Sequence, residues 1–178
     1  MLEAIGYLHA AARGTVIEAA QLRRQDKSLE EKAAIVSILD ECKVCRLGIA
    51  EAGESAYVVP LNFGYTWPQD GALSLYFHGA KTGKKMSLLR RCPVVAFEMD
   101  CGHTLKPAEE ACGYGYAFRS LMGEGQVVFL EDAGQKAEGL SALMLRQTGR
   151  RFDFDAAATE NVAVYRLDVH RISAKEGK

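Results

Sequence analysis

Hydrophobic positions along this chain switch between a helical and an alternating rhythm, and the switches mark its elements. Residues 1–21 are Ala-rich, with Leu2, Ile5, Leu8, Ala12 and Ile17 at loose helical spacing. That spacing predicts an N-terminal helical extension, weakened by Gly6 and Gly14. A polar connection covers 22–27. Ser28 and Glu31 then read as a capping box. Ile35, Ile38, Leu39 and Cys42 follow at i, i+3, i+4 and i+7, the buried face of an amphipathic helix that ends near Cys42-Lys43. From Val44 the period drops to two, with Cys45, Leu47 and Ile49 alternating against Val44, Arg46 and Gly48. A turn at Ala52-Gly53-Glu54-Ser55 leads to a second strand over 57–67. Pro60 lies inside it and, lacking an N–H donor, marks an edge, a bulge or a strand break.

Pro68-Gln69-Asp70-Gly71 is a hairpin turn and 72–77 a third strand. The chain breaks at His78-Gly79-Ala80 and turns through Thr82-Gly83. A short helix carrying Met86 and Leu89 follows, and Pro93 stops it. Strands are predicted over 94–99 and 115–130, the second with Gly123 and Gly125 as bulge candidates, and a loop over 101–113 between them. Asp132 and Gln135 start another helix, with Ala137, Leu140, Met144 and Leu145 as its buried side and Gly149 as its end. Residues 150–160 read as irregular. The last strand covers 162–172, with Ala163, Tyr165, Leu167 and Val169 on one face. About six strands joined mostly by short turns, without regular β-α alternation, predict an all-β antiparallel barrel with flanking helices.

Composition narrows the functional classes. The chain has 178 residues, 48% hydrophobic and 25% charged, as in an ordinary globular protein. A net charge of −1 excludes a broad basic field for nucleic acid. No apolar run is long enough for a membrane span. Residues 1–21 lack the basic start and continuous apolar centre of a secretory signal. Five cysteines without such a signal fit a reducing cytoplasm better than a disulfide framework.

The chemistry concentrates in 73–93. A strand, a glycine-bearing turn and a helix start form an anion cradle, because free backbone N–H groups and the helix dipole face outward there. Lys81, Lys84 and Lys85 supply positive charge and Thr82 a hydroxyl. Neither familiar glycine-rich phosphate signature is present, so a solubilising surface turn fits the same residues. Cys42-x-x-Cys45 reads as two small buried residues rather than a redox or zinc pair. Cys101, His103 and Cys112 form a looser cluster without zinc-ligand spacing.

Several blocks, in order, resemble the pyridoxamine 5′-phosphate oxidase-related FMN-binding proteins, and within them the nitroimidazole-resistance branch. They are Glu41 to Gly48, Tyr57-Val58-Val59-Pro60-Leu61-Asn62-Phe63-Gly64-Tyr65, Leu75-Tyr76-Phe77-His78-Gly79-Ala80, Gly83-Lys84-Lys85, and Tyr116 to Gly125. The resemblance covers roughly 22–175. It implies one antiparallel, Greek-key-like split β-barrel domain over 22–178, a homodimer, and FMN in a cleft at the dimer interface. It puts the flavin phosphate at 78–85, with Lys84 or Lys85 as main cation, Thr82 as hydroxyl donor, and Arg119 and Ser120 as further ligands. Val59, Pro60, Leu61 and Asn62 would line the isoalloxazine ring; Phe77, His78, Gly79 and Ala80 would lie beside the cofactor.

The implied activity is an oxidoreductase passing electrons to a small acceptor, a nitroaromatic or a quinone, with His78 as the catalytic candidate. The alternatives are a haem-binding protein with His78 as axial ligand, and a flavin-storing or sensing protein without fast turnover. Tyr114, Tyr116 and Phe118 fit either flavin stacking from a partner subunit or the barrel core. Two departures stand out. Ala174 occupies a position where relatives often carry Gly, and no pyridoxal-phosphate-binding tail is present, which argues against vitamin B6 as substrate.

Overall fold

The computed structural model describes residues 14–18 and 25–178. Its elements run in chain order as β1 (Val16–Ile17), β2 (Ser28–Leu29), α1 (Lys32–Glu41), β3 (Val44–Ile49), β4 (Tyr57–Asn62), β5 (Gly64–Thr66), β6 (Ser74–Gly79), α2 (Lys84–Arg91), β7 (Val94–Lys106), β8 (Gly115–Leu130), α3 (Ala133–Thr148), α4 (Ala156–Glu160) and β9 (Ala163–Gly177). The sheet order is β4-β3-β7-β8-β9-β6-β5. Its two terminal strands, β4 and β5, are one stretch of chain interrupted at Phe63. The sheet therefore closes on itself, and the antiparallel β-barrel read from the sequence is present.

The closure has a local cause. β4 pairs with β3 through its whole length, with Pro60 opposite Arg46 on the free edge where a missing N–H costs no ladder bond. After the buried Phe63, β5 pairs instead with β6, from Gly64 opposite Tyr76 to Thr66 opposite Ser74. α3 lies directly over this switch. A Cβ on Gly64 would stand 2.3 Å from the Leu143 backbone nitrogen, so only glycine lets the helix seat there. Arg146 of α3 also donates from Nε to Leu39 O at 2.8 Å and from its terminal nitrogen to Asp40 O and Cys42 O. One guanidinium thus serves carbonyls at the end of α1 that no helical N–H reaches.

The alternating residues fill the interior as their period requires. Cys45, Leu47, Ile49, Leu75, Phe77, Phe97, Met99, Tyr165 and Leu167 are all buried. Phe77 stacks on Tyr165 at 5.5 Å between ring centroids, and Phe129 lies 5.7 Å away on the other side. α1 buries Ile35, Ile38 and Leu39 on that core.

Several expectations are corrected. Val16–Ile17 is a strand parallel to β9, not helix; most of the rest of the expected 1–21 helix lies outside the described residues. Ser28 is no capping residue. It pairs with Lys175 in β2, and α1 starts after Glu31 without a side-chain cap bond. The expected loop over 101–113 is partly strand, since β7 continues to Lys106 through an irregularity between Cys101 and Thr104. The bulge near Gly123 and Gly125 falls on β9, where Arg171 and Val169 face Glu124 and Gly125 and leave His170 as the extra residue. α3 buries Gly139, Leu140 and Leu143, while Leu145 is exposed. The interval 150–160 contains α4.

The Tyr165 hydroxyl is buried without a hydrogen-bond partner among the described residues. A buried hydroxyl left unpaired costs about 1–3 kcal/mol. Tyr165→Phe is therefore expected to stabilise the protein by about 1 kcal/mol, read as a higher urea midpoint at unchanged slope.

Candidate functional site

The expected strand, turn and helix form at this corner, but the strand spans Ser74–Gly79, so His78 and Gly79 lie in its ladder with β9 rather than in a break. β6 ends at Gly79, residues 80–83 turn, and α2 begins at Lys84. Gly83 is its N-cap, at φ 111°, and no side chain caps the first turn. The first N–H groups of α2 are thus left to a ligand or to water. Met86, Leu88 and Leu89 bury the opposite side of the helix and fix its position.

The two lysines at the head of α2 differ. Lys84 is exposed and forms an ion pair with Glu51, Nζ to Oε2 at 2.9 Å, while lying 5.3 Å from the Tyr57 ring centroid. Lys85 is half-buried and has no carboxylate partner among the described residues. Its ammonium lies 5.7 Å from the Tyr165 ring centroid, and a Cβ on Gly79 would stand 3.1 Å from Nζ. The end of the Lys85 side chain thus packs directly over the Gly79 backbone of β6. Burial lowers the Lys85 pKa, because no opposite charge offsets the lost hydration. The sequence left Lys84 and Lys85 equivalent; in the structure Lys84 is paired with Glu51, and Lys85 is the one without a carboxylate partner among the described residues.

His78 is opposite Val164 in the β6–β9 ladder and is exposed. Burial of part of its ring and the Lys85 charge lower its pKa from 6.5, so the imidazole is neutral at pH 7. Ala80 and Thr82 are exposed on the same turn. Phe77 is fully buried against Tyr165, so its side chain belongs to the core and only its backbone can serve the site.

On β4, Val59 and Leu61 pack partly against the core and Pro60 is exposed. The Asn62 amide donates to Lys43 O at 3.1 Å and to Gln147 Oε1 at 3.3 Å. No ladder pair joins β4 to β6 among the described residues. The Gly64–Tyr76 pair is the last before the strands part, so 57–62 and 78–79 border the split.

Arg119 and Ser120 are not brought to this corner within one chain. Arg119 donates to Ser37 Oγ at 2.9 Å and pairs with Glu41, both on α1. Ser120 is opposite Asp100 and Lys175. Arg90 of α2 lies 4.7 Å from the Phe129 ring centroid, ten residues along β8 from Arg119, about 34 Å of strand. Two cavities, of about 160 and 530 Å³, also lie elsewhere. Met122, Glu124 and Arg171 help line the first, Lys27, Leu29 and Glu176 the second.

Tyr114 and Tyr116 are exposed, on the hairpin arm of β7 and β8, which removes them from the barrel core. The cysteines gather no metal site: among the described residues no group of three His, Cys, Asp or Glu could hold an ion. Burial raises the Cys42 thiol to about 12, the inert state of a core cysteine. Sequence reasoning missed Glu51. It sits in the β3–β4 turn, and no local pattern signals that a tertiary contact delivers it to Lys84. No helix among the described residues is long and apolar enough to cross a membrane.

His78 carries a pH prediction with a definite sign. With its folded pKa below 6.5, the unfolded chain binds the extra proton first on acidification. Stability then falls as the pH drops through that window. His78→Gln removes this loss, so the variant gains stability relative to the native chain at pH about 5 but not at pH about 7.5, as measured by urea unfolding at both.

Comparison with known proteins agrees with this architecture. Residues 31–176 match the family model described as pyridoxamine 5′-phosphate oxidase. A candidate 5-nitroimidazole antibiotic resistance protein from Bacteroides thetaiotaomicron is 32% identical at a TM-score of 0.72, with 84% of this chain and 86% of that one covered. The flavocytochrome Anf3 from Azotobacter vinelandii shares the fold at 22% identity and a TM-score of 0.70, covering 88% and 72%. The FAD and haem binding protein from Mycobacterium smegmatis does so at 16% identity and 0.72, covering 85% and 74%. No curated protein matches the chain. With its barrel closed at Phe63 and the model matched over 31–176, the chain belongs to the pyridoxamine 5′-phosphate oxidase family.

Proposed function

We propose that the protein binds FMN, with the terminal phosphate at the head of α2, and serves as an oxidoreductase toward a small acceptor such as a nitroaromatic or a quinone. The observation that carries this reading is the Lys85 ammonium. It is half-buried, has no carboxylate partner among the described residues, and belongs to a residue in the uncapped first turn of α2. A dianionic phosphomonoester complements that arrangement in charge and in hydrogen bonding. The family and the flavin named in two structural relatives support the same cofactor class.

When bound, FMN would supply the electron chemistry, and the protein position and electrostatics. Lys85 neutralises the phosphate, with Thr82 and the first N–H groups of α2 as hydrogen-bond donors. Val59 to Asn62 border the split where the ring would lie. His78, neutral at pH 7, can accept or give a proton at a ring nitrogen beside that border.

Within one chain the corner is open, and Arg119, Ser120, Tyr114 and Tyr116 are remote from it. A second copy of the chain would supply the other wall, as a homodimer. Light scattering at micromolar concentration is expected to give twice the 19.5 kDa chain mass; a monomer that retains flavin would remove the shared-site part of the reading.

Lys85→Ala is expected to weaken FMN binding at least about tenfold, by flavin fluorescence titration, at a melting temperature no lower than that of the native chain. Unchanged affinity would remove the phosphate assignment. The absorbance spectrum of the purified protein separates flavin from haem. Two relatives are named for flavin with haem or cytochrome, and a neutral imidazole is the form that ligates iron.

A further inference from the structure

The turn between β3 and β4 sets Glu51 against both ends of α2. Its Oε2 is 2.9 Å from Lys84 Nζ and its Oε1 3.9 Å from the Arg91 guanidinium. The carboxylate is only 19% exposed, whereas the Lys84 side chain is 56% exposed. The fixed partner is thus the acid and the movable one the lysine. Glu54 adds to the negative field at Lys84. Among the described residues, one of the two cations at the head of α2 therefore carries its own counter-ion, and the other does not.

We propose that Glu51 is a positioning residue that sets the affinity of this corner: it holds Lys84 in reserve, so that an anion bound at the head of α2 engages that lysine only by drawing it from the carboxylate. The proposal rests on the phosphate reading above. A bound phosphate meets Lys85 and the helix N–H groups first. To recruit Lys84 it must draw that ammonium from a carboxylate 2.9 Å away. Drawing the ammonium away forfeits its attraction to Glu51, and the carboxylate left behind repels the incoming anion. Glu51 thereby lowers the affinity of this corner for anions. Because the pair is partly exposed, the competition amounts to a few-fold and is sensitive to salt.

The test is a double-mutant cycle on the full chain, read by flavin fluorescence titration at low salt, with melting temperatures measured in parallel. Glu51→Gln is expected to tighten FMN binding about fivefold. Lys84→Ala should cost less than about twofold in the native background but about tenfold in the Glu51→Gln background, and the difference should shrink in about 0.5 M salt. Should Glu51→Gln melt early, Glu51→Asp, which retracts the carboxylate, replaces it in the cycle with a smaller effect of the same sign. An additive cycle, or weaker FMN binding with Glu51 replaced at unchanged melting temperature, overturns the role given to Glu51. Flavin binding with an additive cycle overturns that role alone; no flavin binding by the native chain overturns the cofactor reading with it.

Discussion

Closure of the sheet at Phe63 is the constraint on which the remaining geometry depends. One stretch of chain must serve as both terminal strands, so it leaves β3 and joins β6 within a single residue. The buried Phe63 ring anchors the switch from inside, and α3 presses on Gly64 from outside. Because β4 is committed to β3, it cannot continue along β6, and the barrel stays split beside His78 and Gly79. The opening thus follows from ladder pairing, and the same pairing aims the end of β6 at α2.

Electrostatics at the opening follow from which charges the fold has already matched. Lys84 meets Glu51, Arg119 meets Glu41, and Arg46 meets Glu98 and Asp100. Lys85 stands outside this pattern, packed over an aromatic face and lacking an acid among the described residues. An unpaired, partly desolvated ammonium costs folding energy. Stability given up at one residue of a fold that pairs its charges elsewhere marks a place where a ligand is expected to complete the structure.

Much of this was legible in the sequence wherever the signal is local. Asp132 caps α3 by accepting from the Gln135 N–H, and Gly149 ends it in a left-handed conformation, both as the residue types indicate. The alternation in β3 likewise gave its element, while Pro60 left edge, bulge and break open until the pairing placed it on the edge. Non-local pairing was not legible. Ser28 has the chemistry of a cap, yet a two-residue ladder with β9 claims it. β7 runs on beyond 101 because β8 pairs with it, which no propensity near Gly102 reveals. At the site, the strand-turn-helix was readable, but the difference between Lys84 and Lys85 was not, since it rests on tertiary contacts of Lys84 with Glu51 and of Lys85 with Tyr165.

The two short strands before α1 have a further consequence. They lie outside the family match, yet they take up β9 where β6 leaves it, at Arg171–Ile172 and again at Ala174–Lys175. Proline blunts the opposite border of the sheet at Pro60. Strand borders closed in this way offer few free donors and acceptors to a foreign strand. Growth of the sheet from one molecule into the next is thereby discouraged along these two borders.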